Sequence, residues 1–156
     1  MTKSLIFSLV YLVFSQAIFA SEPNGLLKVY RELHKALAED KVQEAQTLAS
    51  KANEELDTHL KSLSSPSEAL LKMKAGAEQL AQSKTDLDSR KAFGVYSEGA
   101  LALVKANEKL KSQWQLFYCP MVPKGNFGYW VQPSGESLLN PYYGAKMLTC
   151  GVKRPW

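Results

Sequence analysis

Apolar residues recur every three or four positions through most of the chain and lose that rhythm in the last quarter. Leu26, Tyr30, Leu33 and Leu37 share one face at helical spacing, which predicts a first helix. Glu39-Asp40-Lys41 breaks it. Ala45, Leu48, Ala49, Ala52, Leu56 and Leu63 mark a second, longer helix. Ser64-Ser65-Pro66-Ser67-Glu68 predicts the start of a third, with Ser65 as cap, Pro66 in the first helical position and Glu68 closing a capping box. Leu70, Met73, Ala77, Leu80 and Ala81 line its apolar face. Thr85 and Asp88 repeat the capping pattern ahead of a fourth helix that turns Phe93, Tyr96, Ala100, Leu103, Val104 and Leu110 inward. Gly94 and Gly99 each cost that helix roughly 1 kcal/mol relative to Ala, and either admit a close neighbour or are simply tolerated. Four amphipathic helices on short links bury their faces together, so the expected fold is all-α, an antiparallel four-helix up-down bundle.

Beyond Trp114 the period ends. Pro120 and Pro123 stop any regular helix, Gly128-Tyr129-Trp130-Val131 reads as a short strand, and Pro133-Ser134-Gly135 and Asn140-Pro141 read as turns. A short helix is expected over Ala145–Leu148. Residues 115–156 hold both cysteines and five of the seven prolines, which sets them apart as an irregular C-terminal cap on the 24–114 helical region, with room for a short β-hairpin.

The first twenty residues follow a different logic. Lys3 precedes an uncharged apolar run, Leu5–Phe14, and Ala17 and Ala20 supply small residues before Ser21-Glu22-Pro23 turns the chain polar. That is the order of a secretory signal peptide, and the run is too short to span a bilayer. Cleavage after Ala20, or after Ala17, leaves a single domain in residues 21–156 that is periplasmic or secreted. Without Lys3 there are 18 basic and 15 acidic side chains, interspersed, which gives no footing for a nucleic acid. No second apolar stretch offers a membrane span.

The chemistry gathers in the cap. Cys119-Pro120-Met121 and Met147-Leu148-Thr149-Cys150 each place a cysteine near a methionine, and these are the only two cysteines. Thiolate and thioether are soft donors that select Cu(I) or a similar ion. Zinc more usually recruits His or further Cys, and neither lies in the cap. Two cysteines in an exported protein also commonly form a disulfide, here Cys119–Cys150, which would staple the cap. The aromatics Tyr118, Tyr129, Trp130, Tyr142 and Tyr143 either shield such a site or pack the cap onto the helices. Elsewhere, only His34 with Met73 would offer an axial pair for haem, and Cys-x-x-Cys-His is absent. Nucleophile, redox and phosphate-loop motifs are absent too, so no enzyme is expected.

The cap motifs resemble a known family. Tyr118-Cys119-Pro120-Met121, Gly128-Tyr129-Trp130 and Asn140-Pro141-Tyr142-Tyr143-Gly144 through Met147-Leu148-Thr149-Cys150-Gly151 are similar to the tail of the domain of unknown function DUF3347, and Arg90, Phe93 and Ser97 match its fourth-helix pattern. That domain also occurs attached to periplasmic adaptor subunits of heavy-metal efflux pumps. The resemblance implies a role in copper or related metal handling, with Cys119, Met121, Met147 and Cys150 as ligands and an envelope metal-efflux component as a partner. Val122-Pro123-Lys124 departs from the family pattern. The alternatives are a disulfide-stapled periplasmic interaction module without metal and a thiol redox protein.

Overall fold

The computed structural model describes residues 23–156; the leader expected over residues 1–20 lies outside them. The described chain is mostly helical and closes with a small antiparallel sheet. Its α-helices are α1 (Pro23–Ala38), α2 (Val42–Lys61), α3 (Glu68–Ala81), α4 (Asp86–Lys105) and the short α5 (Glu108–Gln113). Three strands follow, β1 (Trp114–Tyr118), β2 (Tyr129–Pro133) and β3 (Val152–Arg154), with a 3-10 turn at Gly144–Met147 before the last. Helix α1 packs on α2, α2 on α3 and α3 on α4, and α4 returns to α1.

The predicted apolar stripes are the core. Leu26, Tyr30, Leu33 and Leu37 of α1 are buried in one cluster with Leu56, Met73, Leu80, Phe93 and Tyr96. Each fully buried side chain of this size contributes roughly 1.5–3 kcal/mol. Helix α2 offers mainly alanines, Ala45, Ala49 and Ala52, which brings its backbone close to its neighbours. The tightest approach is between α3 and α4. A Cβ on Gly76 would lie 2.2 Å from the Tyr96 backbone nitrogen, and one on Gly99 would lie 2.5 Å from the Ala69 carbonyl oxygen. Gly99 is therefore a packing requirement. Among the described residues, no helix is long and apolar enough to cross a membrane.

The helix ends show which signals decide. Thr85 caps α4, accepting from the Asp88 N–H at 3.1 Å while its hydroxyl donates to the Asp88 carboxylate. Helix α3 starts later than the Pro66 signal implies: Ser67, not Ser65, is the cap, accepting from the Leu70 N–H, and the helix begins at Glu68. Ser67 has the extended backbone a cap needs, and its hydroxyl is the one within reach of the first turn. The fourth helix also divides. It stops at Lys105, and Asn107 caps α5 through the Leu110 N–H, so Leu110 is buried from a separate helix. Leu63 lies beyond the end of α2.

Helix α1 ends in a Schellman turn. The Lys41 N–H reaches the Ala36 carbonyl and the Asp40 N–H the Leu37 carbonyl, which puts Asp40 in the left-handed region at φ 58°. Glycine is usual there, and the carboxylate explains the exception. Asp40 pairs with Arg90 at 2.6 Å and accepts from the Ala145 N–H at 2.9 Å. Gly144 meets it with φ 55°, and a Cβ there would fall 1.7 Å from Asp40 Oδ1.

Candidate cysteine site

The sheet brings the two cysteines together. Its order is β2-β1-β3, antiparallel throughout. Tyr118 of β1 stands opposite Val152 of β3, so Cys119, just past the end of β1, comes beside the residues that lead into β3. Both are free thiols; Cys119 is fully buried and Cys150 half-buried. Burial pushes the Cys150 thiol up, and the charge and the hydrogen bond of Cys119 push it in the same direction. Two residues 31 positions apart in sequence thus share one local environment.

Asn140 joins them. Its Nδ2 donates to Cys119 Sγ at 3.3 Å and to the Cys150 carbonyl at 2.7 Å. Met121 is 52% exposed, and its carbonyl accepts from the Tyr143 hydroxyl. Met147 is half-buried, and its carbonyl accepts from the Cys150 N–H at 2.9 Å. The geometry thus joins two of the four soft donors, and the other two stand in the segments that carry them. Among the described residues, no cluster of three or more His, Cys, Asp and Glu side chains is placed to hold a metal.

The aromatic residues serve mainly to dock the cap. Trp130 is fully buried, stacks on Phe117 at 5.5 Å and meets Tyr142 edge-on at 6.0 Å. Tyr142 packs its ring against Phe93 and donates its hydroxyl to the Tyr129 carbonyl. Burial raises the Tyr142 phenol well above its ordinary range, with the charge of Tyr30 adding to it and that of Cys119 contributing less. Tyr118 and Tyr129 meet at a tilt of 37° with ring centroids 4.6 Å apart, and Arg154 covers Tyr118.

A polar face of α4 fastens this assembly to the helices. Arg90, nearly buried, donates to the Leu37 and Pro141 carbonyls and pairs with Asp40 and Asp86. One guanidinium therefore ties the α1–α2 corner, the start of α4 and the Asn140–Gly144 turn. Ser97 donates to the Tyr129 carbonyl at 2.9 Å, Tyr30 donates to Ser97 at 2.8 Å, and the Val131 N–H donates to Tyr30 at 3.2 Å. That relay satisfies the outer edge of β2. Phe93 lies between Arg90 and Ser97 on the same face. His34 belongs to the same fastening: its Nε2–H donates to the Leu139 carbonyl at 2.8 Å. Burial lowers its pKa to about 4, so the ring is neutral. Met73, its suggested haem partner, is buried against Gly99 in the α3–α4 contact.

Asn140, Arg90 and Gln132 are the site-building residues that periodicity does not reveal. Gln132 is buried on β2; its side-chain oxygen accepts from Trp130 Nε1 at 3.1 Å and its amide reaches the Ser137 carbonyl at 3.0 Å. Comparison of the chain with protein-family models, with curated proteins and with solved structures found no match.

Proposed function

We propose that this chain is an exported protein that binds a soft metal ion, copper as Cu(I) before others, and acts in metal handling or resistance. The reading includes a leader cleaved on export, an antiparallel four-helix bundle of the DUF3347 type and no enzymatic activity. The observation that carries it is the meeting of Cys119 and Cys150 as free thiols under a shared hydrogen-bond donor. Two thiolates, with a methionine in each of the segments that carry them, suit a monovalent soft ion. Zinc suits the site poorly, because neither imidazole nor carboxylate is clustered with the pair. Met121, being half exposed, can close over an ion without disturbing the core. Such a protein would buffer the ion or pass it to an envelope efflux component.

The test is a free-thiol count on protein purified from the cell envelope, followed by Cu(I) titration of the reduced form. Two thiols and one Cu(I) per chain support the reading. Two thiols without metal uptake favour the thiol redox alternative, which the same closeness of the sulfurs supports. A bridge that persists in the native protein leaves the disulfide-stapled interaction module.

A further inference from the structure

Asn140 is fully buried, and all of its polar groups are engaged. Its backbone N–H donates to the Leu148 carbonyl at 2.7 Å, and its carbonyl accepts from the Gly144 N–H at 3.2 Å. Its Oδ1 accepts from the Tyr142 N–H at 2.8 Å. The two hydrogens on Nδ2 go to the Cys150 carbonyl and to Cys119 Sγ. These partners fix which way the amide faces, since the Tyr142 N–H requires an oxygen and the Cys150 carbonyl requires a nitrogen. No other side chain among the described residues hydrogen-bonds both cysteine residues.

Few side chains can do this. The site needs two donors on one atom and an acceptor beside it, at the reach of a single methylene. Aspartate would turn an acceptor toward the Cys150 carbonyl and the Cys119 sulfur. Leucine would offer no donor to that part-buried carbonyl or to the sulfur. The bond to Cys119 Sγ takes one direction around the sulfur, and Cys150 meets the same sulfur from another. Cys119 is fully buried, whereas Cys150 is reached from solvent.

We propose that Asn140 is the positioning residue of the cysteine pair: one amide nitrogen sets the Cys119 sulfur against the Cys150 backbone, making Cys119 the fixed interior donor and Cys150 the exchanging donor at the surface. The proposal rests on the soft-metal reading of the pair. Groups around a ligand that orient it typically change metal affinity by roughly 10–100-fold when removed. An incoming ion or carrier meets Cys150 first and is then drawn onto Cys119.

The test uses the reduced protein, its Asn140→Ala variant and a Leu138→Ala control that loosens the same segment without removing a hydrogen bond to either cysteine. The first readout needs no metal. The S–H stretching band of Cys119, assigned by its loss in Cys119→Ala, should move in Asn140→Ala and stay in place in Leu138→Ala. The second is a Cu(I) competition titration, in which Asn140→Ala should bind roughly 10–100-fold more weakly than the parent while Leu138→Ala matches it. A band that moves in a protein that takes up no Cu(I) supports the positioning role and removes the metal reading. A band that stays put in folded Asn140→Ala overturns the proposal. If Asn140→Ala does not fold, the same bond is read from its other end, from the Asn140 side-chain amide resonance in Cys119→Ala. An unchanged resonance there overturns it equally. Limited alkylation of the parent should label Cys150 before Cys119, and the reverse order contradicts the division of roles.

Discussion

The helical region and the cap are held together by different means. Helices α1 to α4 are joined by apolar stripes and by two glycines that let α3 and α4 touch. The cap adds to its aromatic packing on the helices a set of single polar contacts, each with a specific partner: Arg90 to Pro141, Ser97 to Tyr129, His34 to Leu139, Asn140 to Cys119. Apolar packing is distributed and tolerates exchange of one hydrophobe for another. A buried polar bond is local, and removing one partner strands the other. The apolar core runs through both regions, and the polar contacts add to the cap a fixed geometry around its two sulfurs.

The sharpest way to break this contrast is at the joint. Arg90→Ala removes four polar contacts at once, two of them to backbone carbonyls, and should destabilise the protein by about 3–5 kcal/mol. Half-exposed Asp40 and Asp86 place the loss toward the lower figure. Urea melts measure it. Hydrogen exchange should quicken first at the Tyr142 and Gly144 amides of the turn that Arg90 holds, with α3 still protected. Equal loosening of α3 and this turn would mean that the two regions are one cooperative unit.

Acid acts on the same joint. The folded pKa of His34 lies below its ordinary value because burial disfavours the imidazolium, an effect that the Leu139 carbonyl and nearby Glu136 only partly offset. The unfolded chain therefore binds the proton more readily between pH 6.5 and about 4. The stabilisation is whole above that window and falls by about 3 kcal/mol as the pH drops through it. Melts of the parent against His34→Gln should show this slope in the parent alone.

Changes away from the buried polar contacts of the joint are milder. Gly76→Ala sets a methyl against the Tyr96 backbone and should cost about 1–3 kcal/mol by pushing α3 from α4. The reactivity of Cys150 should be unchanged, because the cap is fastened through α1 and the other face of α4. A changed thiol reactivity would show that strain crosses the helical region. The smallest effect is expected at Arg31→Gln, which breaks an exposed ion pair with Glu136 and should cost less than about 1 kcal/mol in a melt.

The same contrast explains what could be read from the chain alone. Leu26, Tyr30, Leu33 and Leu37 announce α1 because burial on one face imposes a period, and Thr85 announces the start of α4 because a cap is a local device. The break at Asn107 was hidden: Leu110 keeps the helical spacing of α4 although a new cap begins α5. In the cap, Tyr129–Val131 was legible as a strand. Strands β1 and β3 were not: Trp114–Tyr118 follows directly on α5 and is partly buried along its length without alternation, and Val152-Lys153-Arg154 is exposed throughout. The cysteines stood out by composition, but their meeting depends on the β1–β3 register, which no local pattern encodes. Asn140 resembled an ordinary turn residue before a proline, and only its burial between two distant segments distinguishes it. Arg90 and Ser97 drew notice through a resemblance, and their work lies in contacts to backbone groups far away in sequence.

The central claim, that the cap exists to hold a soft ion on this cysteine pair, is tested most directly by Cu(I) competition against a chromophoric chelator under reducing conditions. The proteins are the parent, Cys119→Ala, Cys150→Ala, Met121→Leu and Met147→Leu. The account predicts one tightly bound Cu(I) in the parent, loss of tight binding with either cysteine gone, and weaker binding in a fully folded protein with either methionine replaced, since Met and Leu exchange at less than about 1.5 kcal/mol. Equal and weak binding by all five proteins would contradict it and leave the cysteines as part of a structural cap.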